Sequence, residues 1–205
     1  MAKLRQAEPS LLVSALFSRH LEALAFGRIE LERHFGPVGF SSLLYDFNHT
    51  AYYEREMGPG LRKHFLAFQT LIKPNWLPTA KLLAIEIERQ CACLGQFPEA
   101  RPLNIDPGLL TLGKFVLATA KDQAHRIYLG EEIFAEVSLR FEHGNYVPWP
   151  WTYADYRQPC VLEFMKQART LYRERLARWV SPTLPDPRAI DHANITTERH
   201  LAGPT

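Results

Sequence analysis

An α+β fold built on a largely antiparallel sheet is what this sequence predicts, and three observations predict it. Stretches with two-residue and 3.6-residue apolar periods succeed one another in the order β-α-β-β-α-β. The run from His125 to Phe141, broken at Gly130-Glu131-Glu132, alternates like the two arms of a β-hairpin. A proline-initiated amphipathic helix then begins at Pro159. Together these describe a ferredoxin-like βαββαβ core with a C-terminal β-hairpin extension and a closing amphipathic helix.

The elements follow in order. Leu11 to Phe17 is an apolar run of strand length. Ser18 stands where a helix N-cap is needed, Leu21, Leu24, Ala25, Leu31 and Phe35 keep helical spacing, and Gly36-Pro37 stops them. Val38 to Phe47 reads as a second strand, and Asn48 to Gly60 as a loop or short helical turn. His64 to Ile72 carries both periods and is taken as strand. Pro78 opens a second helix whose apolar stripe is Ala80, Leu83, Ala84, Ile87, Cys91 and Leu94. Leu103 to Ile105 begins a strand, Asp106-Pro107-Gly108 reads as a turn, and Leu112 to Ala118 follows as another strand. In the second hairpin arm Ile133, Ala135, Val137, Leu139 and Phe141 share one face, with Glu136, Ser138 and Arg140 on the other. Tyr146-Val147 is a last short strand. The final helix turns Val161, Phe164, Met165, Ala168, Leu171, Tyr172 and Trp179 inward.

At 205 residues the chain fits a single domain, read as 1–180, followed by a proline-containing flexible tail or arm, 181–205. Its composition, 46% hydrophobic and 22% charged, is that of a globular protein with an adequate core. A net charge of +2 argues against a nucleic-acid partner, which needs a concentrated basic face. The three cysteines, Cys91, Cys93 and Cys160, form no paired framework and fit a reduced, cytoplasmic setting. The Leu11 to Phe17 run is too brief for a signal peptide or a membrane span.

Chemistry concentrates in one polar knot containing Thr119, Lys121, Asp122, His125 and Arg126, flanked by strand sequence that can hold side chains in fixed directions. Lys121 and Arg126 supply a point charge and a planar fork suited to an anion. His125 suits acid or base work near neutral pH, and Asp122 stands close enough in sequence to orient it. The competing role is a solvated turn between strands. Gly108, Gly113 and Lys114 stand in a Gly-x-x-x-x-Gly-Lys frame, but Phe115 occupies the position of the magnesium-binding Ser or Thr, and a strand follows where a helix N-terminus is required. A second cluster, Asp46 to Glu56, contributes His49, Tyr52 and Tyr53. His49 and His125 show no local metal-ligand spacing, so with Asp46, Asp106 and Glu136 they offer N and O ligands only in composition, and no metal is assigned. Trp149-Pro150-Trp151 with Tyr153 and Tyr156 reads as an aromatic cover over the end of the sheet.

Several of these blocks carry a family resemblance: Asp46 to Thr50 with Tyr52 to Gly58, Asn104 to Gly108 with Leu110 to Leu112, Lys114 to Leu129, and Pro150 to Tyr153 with Asp155 to Arg157. In them the chain resembles a bacterial domain-of-unknown-function family, numbered 4416, some of whose members are labelled GTP-binding. The resemblance implies no particular activity. It draws attention to His49, Tyr52, Tyr53, Glu56, Asp106, Lys114, Thr119, Lys121, Asp122, His125, Arg126 and Tyr128.

The sequence therefore predicts a cytoplasmic protein that binds a small anion, a nucleotide or phosphorylated metabolite, and acts on it by acid/base chemistry if it is an enzyme. Lys121, Arg126, Thr119, Tyr53 and Tyr128 are expected to hold the ligand, with His125, Asp122 and His49 as the reactive groups. The alternative is an interaction or self-assembly module with no catalysis, including a homo-oligomer. No membrane partner is expected, and the sequence leaves any cofactor or divalent metal open.

Overall fold

The computed structural model describes residues 7–48, 50 and 52–179; His49 and the 181–205 tail lie outside the described residues. Nine strands and four helices are described: β1 (Ser10–Ser18), α1 (Leu21–Phe35), β2 (Val38–Ser41), β3 (Tyr45–Asp46), α2 (Glu54–Met57), β4 (Arg62–Ile72), α3 (Leu77–Cys93), β5 (Asn104–Leu110), β6 (Lys114–Thr119), β7 (Ile127–Gly130), β8 (Ile133–Glu142), β9 (Asn145–Pro148) and α4 (Pro159–Ala177). The fold is α+β. One sheet runs in the order β2-β4-β1-β5-β6-β8-β7, with β3 also on β4 and β9 also on β8, and every pairing is antiparallel.

Strand β1 is central and buried along its whole length, and its alternation feeds two cores. Leu12 and Leu16 pack with α1 and α3 on one face, while Leu11, Val13 and Ala15 pack with α4 on the other. Being covered on both faces explains why this strand reads as a continuous apolar run rather than an alternating one. Helix α3 buries Ala80, Ala84, Ile87 and Cys91 of the predicted stripe, with Leu83 partly buried and Leu94 exposed just past the helix, and α4 buries Val161, Phe164, Met165, Ala168 and Tyr172.

Three local expectations are corrected. Ser18 does not cap α1; it ends β1, where its hydroxyl donates to the Pro102 carbonyl at 2.5 Å and accepts the His20 N–H at 2.9 Å. Asp106-Pro107-Gly108 is not a turn but the middle of β5. Gly108 is required there because a Cβ would meet the Phe115 ring of β6 at 2.4 Å. In β8, Ser138 is the extra residue of a bulge: Phe115 faces Leu139 while Val116 faces Val137. The bulge swaps faces, so Ile133 and Ala135 join one core while Leu139 joins the other; Glu136 lies opposite Leu117 on the face of that second core, and Glu136 and Ser138 are both buried.

The β5–β6 ladder is short. It joins Gly108–Leu110 to Leu117–Phe115 and goes no further, because the next residue of β5 is Pro107, which has no amide hydrogen to extend it. Beyond that point β5 stays with β1 and β6 stays with β8, so the two strands part. The sheet thus contains a fork at the end where β1 and β6 finish and β4, β5 and β8 begin.

Candidate functional site

A cavity of about 590 Å³ occupies the fork, a volume within the range of small-molecule sites. Asn104 and Asp106 line it from β5, Leu117, Ala118 and Thr119 from β6, Lys81, Ile85 and Glu88 from α3, and Lys63 from β4. Tyr52 and Tyr53 border it from the turn before α2, and Tyr153 to Tyr156 from the segment before α4. Among the described residues no group of three or more His, Cys, Asp or Glu side chains is arranged to hold a metal ion.

Its floor is a set of nearly buried ion pairs. Lys63 donates to Asp155 at 2.6 Å, and its ammonium lies 4.9 to 5.2 Å from the ring centres of Phe47, Tyr156 and Phe17. Such a cage stabilises a desolvated cation through the ring quadrupoles. Lys81 reaches from α3 to the Ile105 carbonyl at 2.8 Å and to Asp106 at 3.0 Å. Asn104 donates to the other Asp106 oxygen at 2.7 Å, and Arg101 donates to the Asn104 side-chain oxygen and to Glu88 at 3.3 Å. Burial pushes the Asp106 carboxyl up, but Lys81 and Lys63, with the hydrogen bonds from Lys81 and Asn104, outweigh it and hold it below the usual carboxylate range. Glu88 goes the other way: burial raises it despite Lys81, Arg101 and the Ile105 N–H. The Tyr53 hydroxyl is pushed up by burial and by the Asp106 carboxylate, so it remains a neutral phenol.

At the mouth, Lys121 is held differently. Its ammonium donates to the Tyr52 hydroxyl at 3.0 Å and lies 4.4 Å from that ring's centre, and the side chain is exposed. Its backbone N–H rests on the Thr119 hydroxyl at 3.2 Å.

The structure therefore brings together Thr119, Lys121 and Tyr53 from the predicted set. Arg126 is turned inward instead: its guanidinium donates to Glu136 at 2.9 Å, to the Lys121 carbonyl at 2.8 Å and to the Tyr153 hydroxyl at 2.8 Å. The Arg126 and Glu136 side chains are 1% and 0% exposed. The carboxylate facing His125 is that of Glu136, at 3.0 Å, rather than that of Asp122, and the imidazole stacks on Trp151. Trp151 stacks in turn on Trp149, over which Arg140 lies, so the aromatic segment is a ladder packed beside the middle of β8, where the Trp151 indole N–H donates to the Val137 carbonyl at 3.0 Å. Asp122 is exposed, and Tyr128 is an exposed residue of β7 whose ring leans on Phe134. Asp122, His125, Arg126 and Tyr128 are not among the cavity's walls.

Lys63, Lys81, Glu88, Arg101 and Asp155 were not singled out by the sequence. The signal for Lys81 was a cation set into the apolar stripe between Ala80 and Ala84. Lys114, the residue of the P-loop-like frame, opens a strand and not a helix, so that frame builds no phosphate cradle. No helix among the described residues is long and apolar enough to cross a membrane.

No match was found among curated proteins, and none among solved structures. A family model described as a domain of unknown function, DUF4416, matches residues 8–172, which span every strand and helix from β1 into α4. By that match the chain belongs to the DUF4416 family.

Proposed function

We propose that this protein binds an anionic small molecule, a nucleotide or phosphorylated metabolite, in the cavity at the β5–β6 fork, with Lys121 meeting the anion. One observation carries the reading. Four cations line the cavity among the described residues; Lys63, Lys81 and Arg101 each face a carboxylate, whereas Lys121 faces only the hydroxyl and ring of Tyr52. A cation whose partner is a neutral phenol gains a charge-assisted bond when an anion arrives, and no existing ion pair is broken for it. Tyr52, Tyr53 and Tyr153 give the walls an aromatic surface suited to a planar group. Arg126 acts as the residue that positions Lys121, through the bond to its carbonyl. The reading is of binding rather than turnover, since His125 and Asp122 stand outside the cavity walls.

A thermal-shift screen against mononucleotides and phosphorylated metabolites tests it, because a ligand that binds only the folded state raises the melting temperature by mass action. At least one compound is expected to raise it in the wild type and to lose most of that effect in Lys121→Gln. Equal shifts in both proteins, or none in the wild type, overturn the reading.

The ordering β2-β4-β1-β5, with α1 between β1 and β2 and α3 between β4 and β5, supports a ferredoxin-like core to which β3 and β6 to β9 are added. The thiols of Cys91, Cys93 and Cys160 are unpaired, which supports a cytoplasmic setting. A second reading, self-assembly, is favoured by β7, an edge strand whose Ile127, Tyr128 and Leu129 are 70%, 59% and 41% exposed. Light scattering of the wild type and of Tyr128→Lys decides it: a monomer in both cases removes this reading.

A further inference from the structure

The cavity has a second pole. Asp106 lies on the β5 flank of the fork, 24% of its side chain is open, and among the described residues each carboxylate oxygen has one protein donor, Lys81 on one and Asn104 on the other. A carboxylate accepts about four hydrogen bonds, so acceptor capacity is left on a residue that lines the cavity. Lys121 stands on the opposite flank, just past the end of β6. From this juxtaposition, and resting on the anion site proposed above, we infer that the ligand is an amine-bearing anion: its anionic group meets Lys121 and an amino or ammonium N–H donates to Asp106.

Several features agree with that assignment. Lys81 and the Asn104 amide are themselves fixed, Lys81 by the Ile105 carbonyl and Asn104 by Arg101, so the carboxylate is held in place before any ligand arrives. The same donors keep it ionised, and an ionised carboxylate gains most from an ammonium donor, which brings the opposite charge as well as the hydrogen bond. A ligand with a second negative end would instead bring a charge against Asp106. The aromatic walls between the poles accommodate a planar ring as well as an aliphatic spacer.

Matched pairs that differ only in the amine provide the test: O-phosphoethanolamine against ethyl phosphate, and AMP against purine riboside 5′-phosphate, each titrated by calorimetry into the full-length wild type, Asp106→Asn and Lys121→Gln. In the wild type the amine-bearing member of at least one pair is expected to bind about tenfold more tightly than its partner. Asp106→Asn should bring the two members within about threefold, without weakening the amine-free one, whereas Lys121→Gln should weaken both alike. If both members bind equally to the wild type and Lys121→Gln weakens both, the amine inference is overturned while the anion site stands. If no member of either pair binds, or Lys121→Gln changes nothing, both fall together. Should Asp106→Asn fail to fold, the discrimination within each pair by the wild type still decides, because equal affinities there are sufficient to refute it.

Discussion

Two charged clusters lie side by side at the same end of the sheet, and they are built in opposite ways. In the first, Arg126, Glu136, His125, Ser138 and Tyr153 satisfy one another: Glu136 accepts from Arg126, His125 and Ser138, and Arg126 donates to three different residues. Of these five only Tyr153 borders the cavity, and it brings no charge there. In the second, around the β5–β6 fork, Asp106 retains open surface and Lys121 faces no carboxylate among the described residues. The contrast teaches that chemical variety alone does not mark a site. A saturated, buried ion pair holds loops in place, while charge with spare hydrogen-bonding capacity beside a cavity is available to a ligand.

The largest effect that would sharpen this contrast comes from the closed cluster. Arg126→Ala leaves Glu136 buried without its main counter-charge and is expected to cost about 3 to 5 kcal/mol in denaturant unfolding. A loss under about 1 kcal/mol would mean that the cluster does not hold the fold together. Next comes Asp106→Asn, which keeps the shape but removes the charge opposite Lys81, with an expected loss of about 1 to 3 kcal/mol near neutral pH.

That variant also has a pH signature. The folded-state value of Asp106 lies below its ordinary one, so its stabilisation is complete above the ordinary value, near pH 4, and is lost as the pH falls through the folded value. Unfolding midpoints of the wild type should therefore drop more steeply below about pH 4 than those of Asp106→Asn. Glu88 has the opposite sense, since burial raises it, and it is common to both proteins. Parallel curves would show that Asp106 is not the ionised pole of the cavity.

Smaller still is His125→Phe, which keeps a ring against Trp151 and gives up the contact with Glu136; about 1 kcal/mol is expected, with ligand binding unchanged. A selective loss of binding in this variant would return His125 to the site and break the division between the two clusters.

Much of the fold was legible because period and length were unambiguous in β1, α1, α3, the β7–β8 hairpin and α4. The misreadings have local causes. Asp-Pro-Gly is turn chemistry in isolation, but here Pro107 ends a ladder and Gly108 admits the Phe115 ring, both consequences of a neighbouring strand that sequence periodicity does not reveal. Glu136 likewise lies opposite Leu117 of β6, on the face that the second core covers, and so becomes the acceptor at the centre of a buried network. Of the candidate site, the knot named residues that the structure divides. Lys121 and Thr119 reach the cavity while Arg126 turns away, and that division depends on Glu136 and Tyr153, which are distant in sequence. The paired lysines were hidden for a different reason: Lys63 and Lys81 occupy core positions, and their carboxylate partners come from other elements.

Lys121→Gln gives the most direct test of the central claim, because it separates binding from stability. Calorimetric titration of the best ligand from a phosphate-bearing panel, run beside thermal unfolding of both proteins, should show affinity falling about tenfold or more while stability changes by less than about 0.5 kcal/mol. Affinity that is unchanged in the variant, or lost only in step with stability, would contradict it.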